Sequence, residues 1–302
     1  MYYYQLFQLT IQSDVPILQL LPADDTDHPD IIIEAGNIPE DIIEKESQNI
    51  YYEFGDARSW LVNNYVRLLM EHGNHITYFK KDGCPDMYLT SYLLGWGMSM
   101  TCLQRNMLAM HCSVVTDGEK AYLISGESGS GKSTVTRELL HNGYKLMADD
   151  MTLVNLKEDQ VFVTPAFPYQ KLCRDAAMNC GKPMEELIYI DEAKDKFLVP
   201  CHEIFENKEL PIGGLIILYR HPNEDVVFQN VEGFNKLHAY ANNLFLRHLL
   251  QQKKYDPKLG SIMLKMASKT SICMIGRPDG KDSVSEILSH VTNFINQNRQ
   301  GE

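Results

Sequence analysis

The chain has 302 residues, 44% hydrophobic and 23% charged, and its 40 acidic against 28 basic side chains give a formal net charge of −12. That length can bury a full core in one large or two modest domains. The composition is that of a globular soluble protein, and the acidic balance is the opposite of a nucleic-acid binder's. The seven cysteines (84, 102, 112, 173, 180, 201 and 273) are scattered and form no C-x-x-C pair, which predicts reduced thiols in a cytoplasmic protein rather than a disulfide framework or zinc knuckle. The amino terminus shows no basic segment followed by an apolar one, so no secretory signal is expected. The longest mostly apolar stretch, residues 92–103, is too short to span a bilayer, and no membrane partner is expected.

Residues 4–11 alternate apolar and polar as a strand does, and Ile31-Ile32-Ile33 reads as a second, buried strand. Between them Ala23-Asp24-Asp25-Thr26-Asp27-His28-Pro29-Asp30 is acidic, but nothing nearby closes a ligand set, and an exposed turn is the expectation. Residues 60–70 suit either a helical face or the first half of a hairpin; with 75–79 as partner, the region is read as β-rich. His72 and His75 lie in the turn between, a spacing more common in solvated turns than in metal sites. Residues 91–104 predict a helix buried on several sides, and the methionines around it (87, 98, 100, 107, 110) flexible core filler. A strand over 107–115 and a turn at Asp117-Gly118 follow. The domain boundary is placed near 105: a smaller β-rich amino-terminal accessory domain over 1–105 and an α/β domain of mixed sheet and flanking helices over 106–302.

The second domain is organised around Ser125-Gly126-Glu127-Ser128-Gly129-Ser130-Gly131-Lys132-Ser133-Thr134, which fits the phosphate-loop (P-loop) pattern G-x-x-x-x-G-K-[ST]. Glycines let successive backbone N–H groups curl round a polyphosphate, Lys132 reaches its terminal phosphates, and the Ser133 hydroxyl serves Mg²⁺. The flanks support the match: residues 121–124 read as a buried strand and 133–141 as a helix stopped by Asn142-Gly143, aiming a helix N-terminus at the anion. The next strand, 144–148, ends in Asp149-Asp150, at the carboxyl end where α/β sheets bind ligands, and paired acids there can serve Mg²⁺ and proton abstraction. Further on the sequence predicts a hairpin over 152–164, a proline-bordered loop running into a helix over 166–181, a strand over 214–219, a long helix over 234–252, a strand over 271–275 and a closing helix over 284–295.

Glu127 to Thr134 is also the usual wording of ABC transporter ATPases, but their L-S-G-G-Q element is missing here and the acid pair comes only seventeen residues after Lys132. The run from His111 to Asp150 instead resembles the catalytic core of the HPr kinase/phosphorylase superfamily, whose fold is shared with phosphoenolpyruvate carboxykinase. In that family a histidine lies fifteen residues before the first loop glycine and an Asp-Asp pair begins twenty-three after it, as His111, Gly126 and Asp149-Asp150 do here. Pro165-x-x-Pro168-x-x-Lys171-Leu172, Lys196-Phe197-Leu198-Val199-Pro200 and the strand after Pro211 resemble a branch of that superfamily that accompanies modified-peptide gene clusters. The glycine-rich segment that HPr kinases carry after the acid pair has no counterpart, and the first hundred residues do not look like their amino-terminal domain.

The resemblance implies ATP held by Gly126, Glu127, Ser128, Gly129, Ser130, Gly131, Lys132, Ser133 and Thr134. It further implies Asp149 as general base, Mg²⁺ on Ser133 and Asp150, Lys132 on the transferred phosphoryl group, and His111 tuning the base. The function it implies is ATP- and Mg²⁺-dependent kinase activity toward a hydroxyl acceptor, a serine of a peptide or protein. A small-molecule acceptor, or a nucleotide-gated partner-binding protein without transfer, stays open, as does self-association into a homo-oligomer. Lys171, Arg174, Lys196 and Arg220 are the candidate acceptor contacts, though each reads first as a plain surface charge.

Overall fold

The computed structural model describes residues 1–190, 195–253 and 256–299. Among these the strands form three sheets in a mixed α/β arrangement. The first sheet has eight strands and holds the amino-terminal part of the chain. Residues 4–11, expected as one strand, form a hairpin, Tyr2–Leu6 with Leu9–Ser13. Its turn residues Phe7 and Gln8 both take positive φ (54° and 61°) without the glycine or asparagine that would have marked it. The ambiguous stretch near Trp60 resolves into strands Arg58–Val62 and Val66–Glu71, the second pairing with His75–Lys80. Burial on both faces explains the mixed periodicity that made this segment hard to read.

The expected helix over 91–104 is a composite: Asp86–Tyr92, a π turn at Leu93–Gly97, and Met98–Gln104. It lies between the first and second sheets. One buried cluster runs from Ile11, Ile76 and Leu93 through Met98 and Met100 to Leu123, Leu153 and Ile262, so the two sheets share a core.

The second sheet has nine strands, with Ala121–Gly126, Leu210–His221 and Ser271–Pro278 parallel and adjacent at its centre. Residues 107–115 do not form one strand. Leu108–Met110 pairs with Thr152–Lys157, whereas Ser113–Thr116 pairs with Ala121–Gly126 and Lys145–Ala148. Both chains of this antiparallel pair leave the ladder together and rejoin it in the same register, with Val114 opposite Ala148 before the break and Met110 opposite Thr152 after it. His111-Cys112 and Asp149-Asp150 therefore face each other at one gap.

Two further expectations are corrected by non-local backbone pairing, which local periodicity does not register. Residues 169–173, expected as loop, are the strand Tyr169–Cys173, paired with Lys196–Pro200 in the small third sheet, before a short helix Arg174–Met178. The long helix over 234–252 stops at Asn242. There the Asn243 carbonyl accepts from the His111 N–H at 2.8 Å, the Phe245 N–H donates to the Ala109 carbonyl at 2.9 Å, and Leu246 turns with φ 46°. An unexpected helix, Pro257–Lys269, capped by the Asp256 carboxylate on the Lys258 N–H, packs Ile262 and Met266 inward. Leu123 is fully buried in the shared cluster. Leu123→Ala is expected to lower unfolding free energy by about 2–5 kcal/mol, measured as a shift of the urea midpoint at unchanged m-value.

Candidate active site

The loop between the strand Ala121–Gly126 and the helix Lys132–His141 sits at the carboxyl end of the parallel strands. Gly126 takes φ 151°, and an added Cβ there would collide with the Leu218 carbonyl oxygen and Ser130 Oγ. Gly131, at φ 102°, is the residue before the helix and turns its first N–H groups toward the loop. Residues 126–134, Ser130 apart, line a cleft of about 970 Å³ together with His111, Asp149, Asp150, Lys171, Lys196 and Arg277. All the residues picked out by motif and spacing thus gather in one place, including Ser130, which lies buried beneath the loop.

The gap between the paired strands builds the acidic end of this cleft. Asp149 is 6% exposed; its Oδ1 accepts from Ser113 Oγ at 2.5 Å and its Oδ2 from the Lys171 N–H at 2.7 Å. Two hydrogen bonds use half of a carboxylate's accepting capacity. Burial pushes this carboxyl above the ordinary aspartate range, against the pull of Lys132 and of the two donors. Asp150 opens to the cleft, its side chain 39% exposed. Burial raises it too, but Lys171, His111, Lys132 and Lys196 outweigh that and hold it below the ordinary range. Two adjacent carboxyls are thereby driven apart, one toward proton acceptance and the other toward permanent charge.

Asp150 adopts φ 82°, an uncommon conformation for a residue with a side chain. It directs the Asp150 carbonyl to His111 Nδ1 at 3.0 Å, with the carboxylate Oδ1 at 3.4 Å from the same nitrogen. A carbonyl can only accept, so Nδ1 carries the hydrogen and Nε2 of the neutral ring is left with its lone pair. Burial, then the Lys132 ammonium, lower the His111 pKa over the opposing pull of Asp150. The ring stands edge-on to Phe245, centroids 5.4 Å apart. Behind the loop, Ser125 Oγ donates to the Asn243 side-chain carbonyl at 2.5 Å or to the His111 carbonyl at 2.9 Å, tying the loop strand to the histidine segment.

The residues fit a polyphosphate. Among the described residues Ser130 Oγ and Arg277 Nε are buried without a protein partner, and Lys132 makes no ion pair. No three His, Cys, Asp or Glu side chains among the described residues converge as a metal cage. Mg²⁺ bound through one or two protein oxygens and phosphate needs no such cage, and Asp150 with Ser133 is the set that would hold it.

Of the four candidate acceptor contacts, Lys171 and Lys196 line the cleft. Arg174 is paired with Asp195 at 2.6 Å, and Arg220 lies 3.8 Å from Asp279, neither lining the cleft. Sequence reasoning missed Ser113, Phe245 and Arg277. Only Arg277 had a legible signal, a cation at the carboxyl end of a central parallel strand.

No family model matches the chain, and no curated protein matches it. Among solved structures, an Hpr(Ser) kinase/phosphatase from Coxiella burnetii aligns at 13% identity over 64% of this chain and 99% of its own, with a TM-score of 0.33, a distant likeness of fold. Among the described residues no helix is long and apolar enough to cross a membrane.

Gly126→Ala must displace the backbone of Leu218 or the loop itself. It is expected to remove the thermal stabilisation that ATP is expected to give the parent protein and to cost about 1–3 kcal/mol of stability, both readable in one melting series with and without nucleotide.

Proposed function

We propose that this chain is an ATP- and Mg²⁺-dependent kinase that phosphorylates a hydroxyl, a serine of a peptide or protein. One observation carries the reading: the shared break in two paired strands puts Asp149, its carboxyl pushed up by burial, and Asp150, held down by its lysine neighbours, beside His111 in the same cleft as Lys132 and the phosphate loop. On this reading residues 106–302 form the HPr-kinase-like P-loop catalytic unit and 1–105 an accessory unit. The assigned limit at 302 lies outside the described residues.

Phosphoryl transfer asks mostly for positioning and charge stabilisation. ATP would lie along residues 126–134, and Mg²⁺ held by Asp150 and Ser133 would neutralise charge on its phosphates. Lys132 faces the same group from the start of the helix. Asp149 takes the proton from the acceptor hydroxyl as that oxygen bonds to the γ-phosphorus, while the bond from that phosphorus to the β,γ-bridging oxygen breaks and ADP leaves with its electron pair. Ser113 and the Lys171 amide hold the carboxylate in place without exhausting its lone pairs. His111 fixes the Asp150 backbone through Nδ1–H, and its depressed pKa keeps it neutral beside the Lys132 ammonium at pH 7. Arg277, at the end of the central strand Ser271–Pro278, adds a second cation to the phosphate side.

Asp149→Asn is expected to lower kcat by about 10²–10⁴-fold with nucleotide binding retained, measured by transfer of γ-labelled phosphate to an acceptor; undiminished transfer would remove Asp149 from the base role. The sign of its pKa shift sets the pH response. The base works deprotonated and its pKa is raised from 3.8, so kcat/KM is expected to fall, as pH drops, at a pH above the ordinary aspartate range. Tight nucleotide-dependent partner binding with no phosphorylated product by mass spectrometry would replace the kinase with a nucleotide-gated binding protein.

A further inference from the structure

The cleft has a second wall that the phosphate chemistry does not use. Tyr65 from the first sheet, Tyr88 and Tyr92 from the helix Asp86–Tyr92, and Trp96 from the π turn all line it. Tyr65 and Tyr88 lie with centroids 4.4 Å apart. π turns are uncommon and recur at functional sites, where they re-aim side chains. Within this turn Gly95 also lines the cleft, and a Cβ placed on it would meet nothing within 4 Å, so packing does not explain its missing side chain.

The wall stands at the acidic end of the cleft. The helix that continues the π turn bonds to the acid-pair segment through Ser99 Oγ and Met151 Sδ at 3.0 Å, two residues beyond Asp149. The segment carrying Phe245, against His111, runs on to His248, whose ring lies 5.8 Å from that of Trp96 and 5.4 Å from that of Tyr52. Tyr52, 38% exposed, touches Trp96 at 5.4 Å and belongs to Tyr52–Glu53, the edge strand of the eight-stranded sheet. Ring contacts therefore run from the sheet edge at Tyr52 to Trp96, which lines the same cleft as Asp149.

We propose that this aromatic wall is the acceptor subsite, and that it selects a peptide whose target serine has aromatic or aliphatic neighbours, laid from the Tyr52 edge across Trp96 and Tyr92 toward Asp149. This rests on the kinase reading for the identity of the reacting group, but not for the binding surface. Aromatic faces bind apolar groups with large area and little loss of side-chain freedom, and an extended peptide can also use the backbone groups of an edge strand.

The test uses the full chain with synthetic serine peptides flanked by phenylalanine and leucine or by glycine and aspartate. Fluorescence anisotropy gives binding, label transfer gives turnover, and ADP titration gives nucleotide affinity. The parent protein is expected to prefer the apolar peptides by about tenfold or more in KM and Kd. Trp96→Ala and Tyr92→Ala should abolish that preference, Trp96→Phe should restore most of it, and ADP affinity should stay unchanged. Circular dichroism melting identifies any variant that fails to fold, for which Trp96→Phe and a Gly95→Leu block of the same wall stand in. Apolar peptides that bind without being phosphorylated would overturn the kinase reading and leave the subsite standing. Phosphorylation indifferent to the flanks would overturn the subsite and leave the kinase. Loss of ADP affinity in folded Trp96→Ala, or no peptide binding by the parent protein, would equally overturn the subsite.

Discussion

A buried carboxylate beside a lysine is the constraint on which the rest of this structure turns. Asp149 is out of water, and a charge there is costly unless donors and a counter-charge meet it. The protein meets it three ways: a hydroxyl from the facing strand, a backbone amide from the third sheet, and the Lys132 ammonium from the loop helix. Each comes from a different element. The fold around the second sheet is the arrangement that brings the three to one carboxylate while leaving accepting capacity toward the cleft.

The gap between the paired strands makes this economical. A continuous ladder would have turned the backbone groups of 111–112 and 149–150 on each other; the break gives them to other partners instead. The His111 N–H goes to Asn243, the Asp150 carbonyl to the His111 ring, and the side chains of both acids to the cleft. The positive φ of Asp150 is the local strain that this arrangement carries, and the surrounding bonds over-determine it. Driving two neighbouring carboxyls in opposite directions follows from the same geometry, since one is buried and the other faces three lysines, Lys171, Lys132 and Lys196.

The aromatic wall joins the two halves of the molecule functionally as well as mechanically. The composite helix 86–104 is part of the core shared by the two sheets, and its π turn presents Trp96 to the cleft. The proposed recognition surface is thus anchored in the core shared by the two sheets, which keeps its rings in place at little entropic cost.

Much of the loop site was legible in the chain. The loop wording, the strand before it and the helix after it are local, because each depends on periodicity and on glycine's access to positive φ at Gly126 and Gly131. The intervals from His111 to Gly126 and from Gly126 to Asp149 are legible for a related reason: they count out one hairpin, one loop and one helix, so the register of the strands is written in the spacing. What local reading missed was set by partners far away in sequence. The segment after Asn242 forms backbone bonds to 109–111 in place of a helix, residues 169–173 pair with 196–200, Tyr65 meets Tyr88, and Trp96 meets His248. The direction of each carboxyl's pKa shift was equally beyond the sequence, because burial and the positions of Lys132, Lys171 and Lys196 exist only once the chain is folded. The sequence by itself determined the loop, its flanking strand and helix, and the histidine and acid pair set at fixed intervals from it; tertiary structure decided that they share one cleft, which of the two carboxyls is pushed upward, and what stands opposite them, since desolvation and cross-sheet contact are properties of the packed molecule.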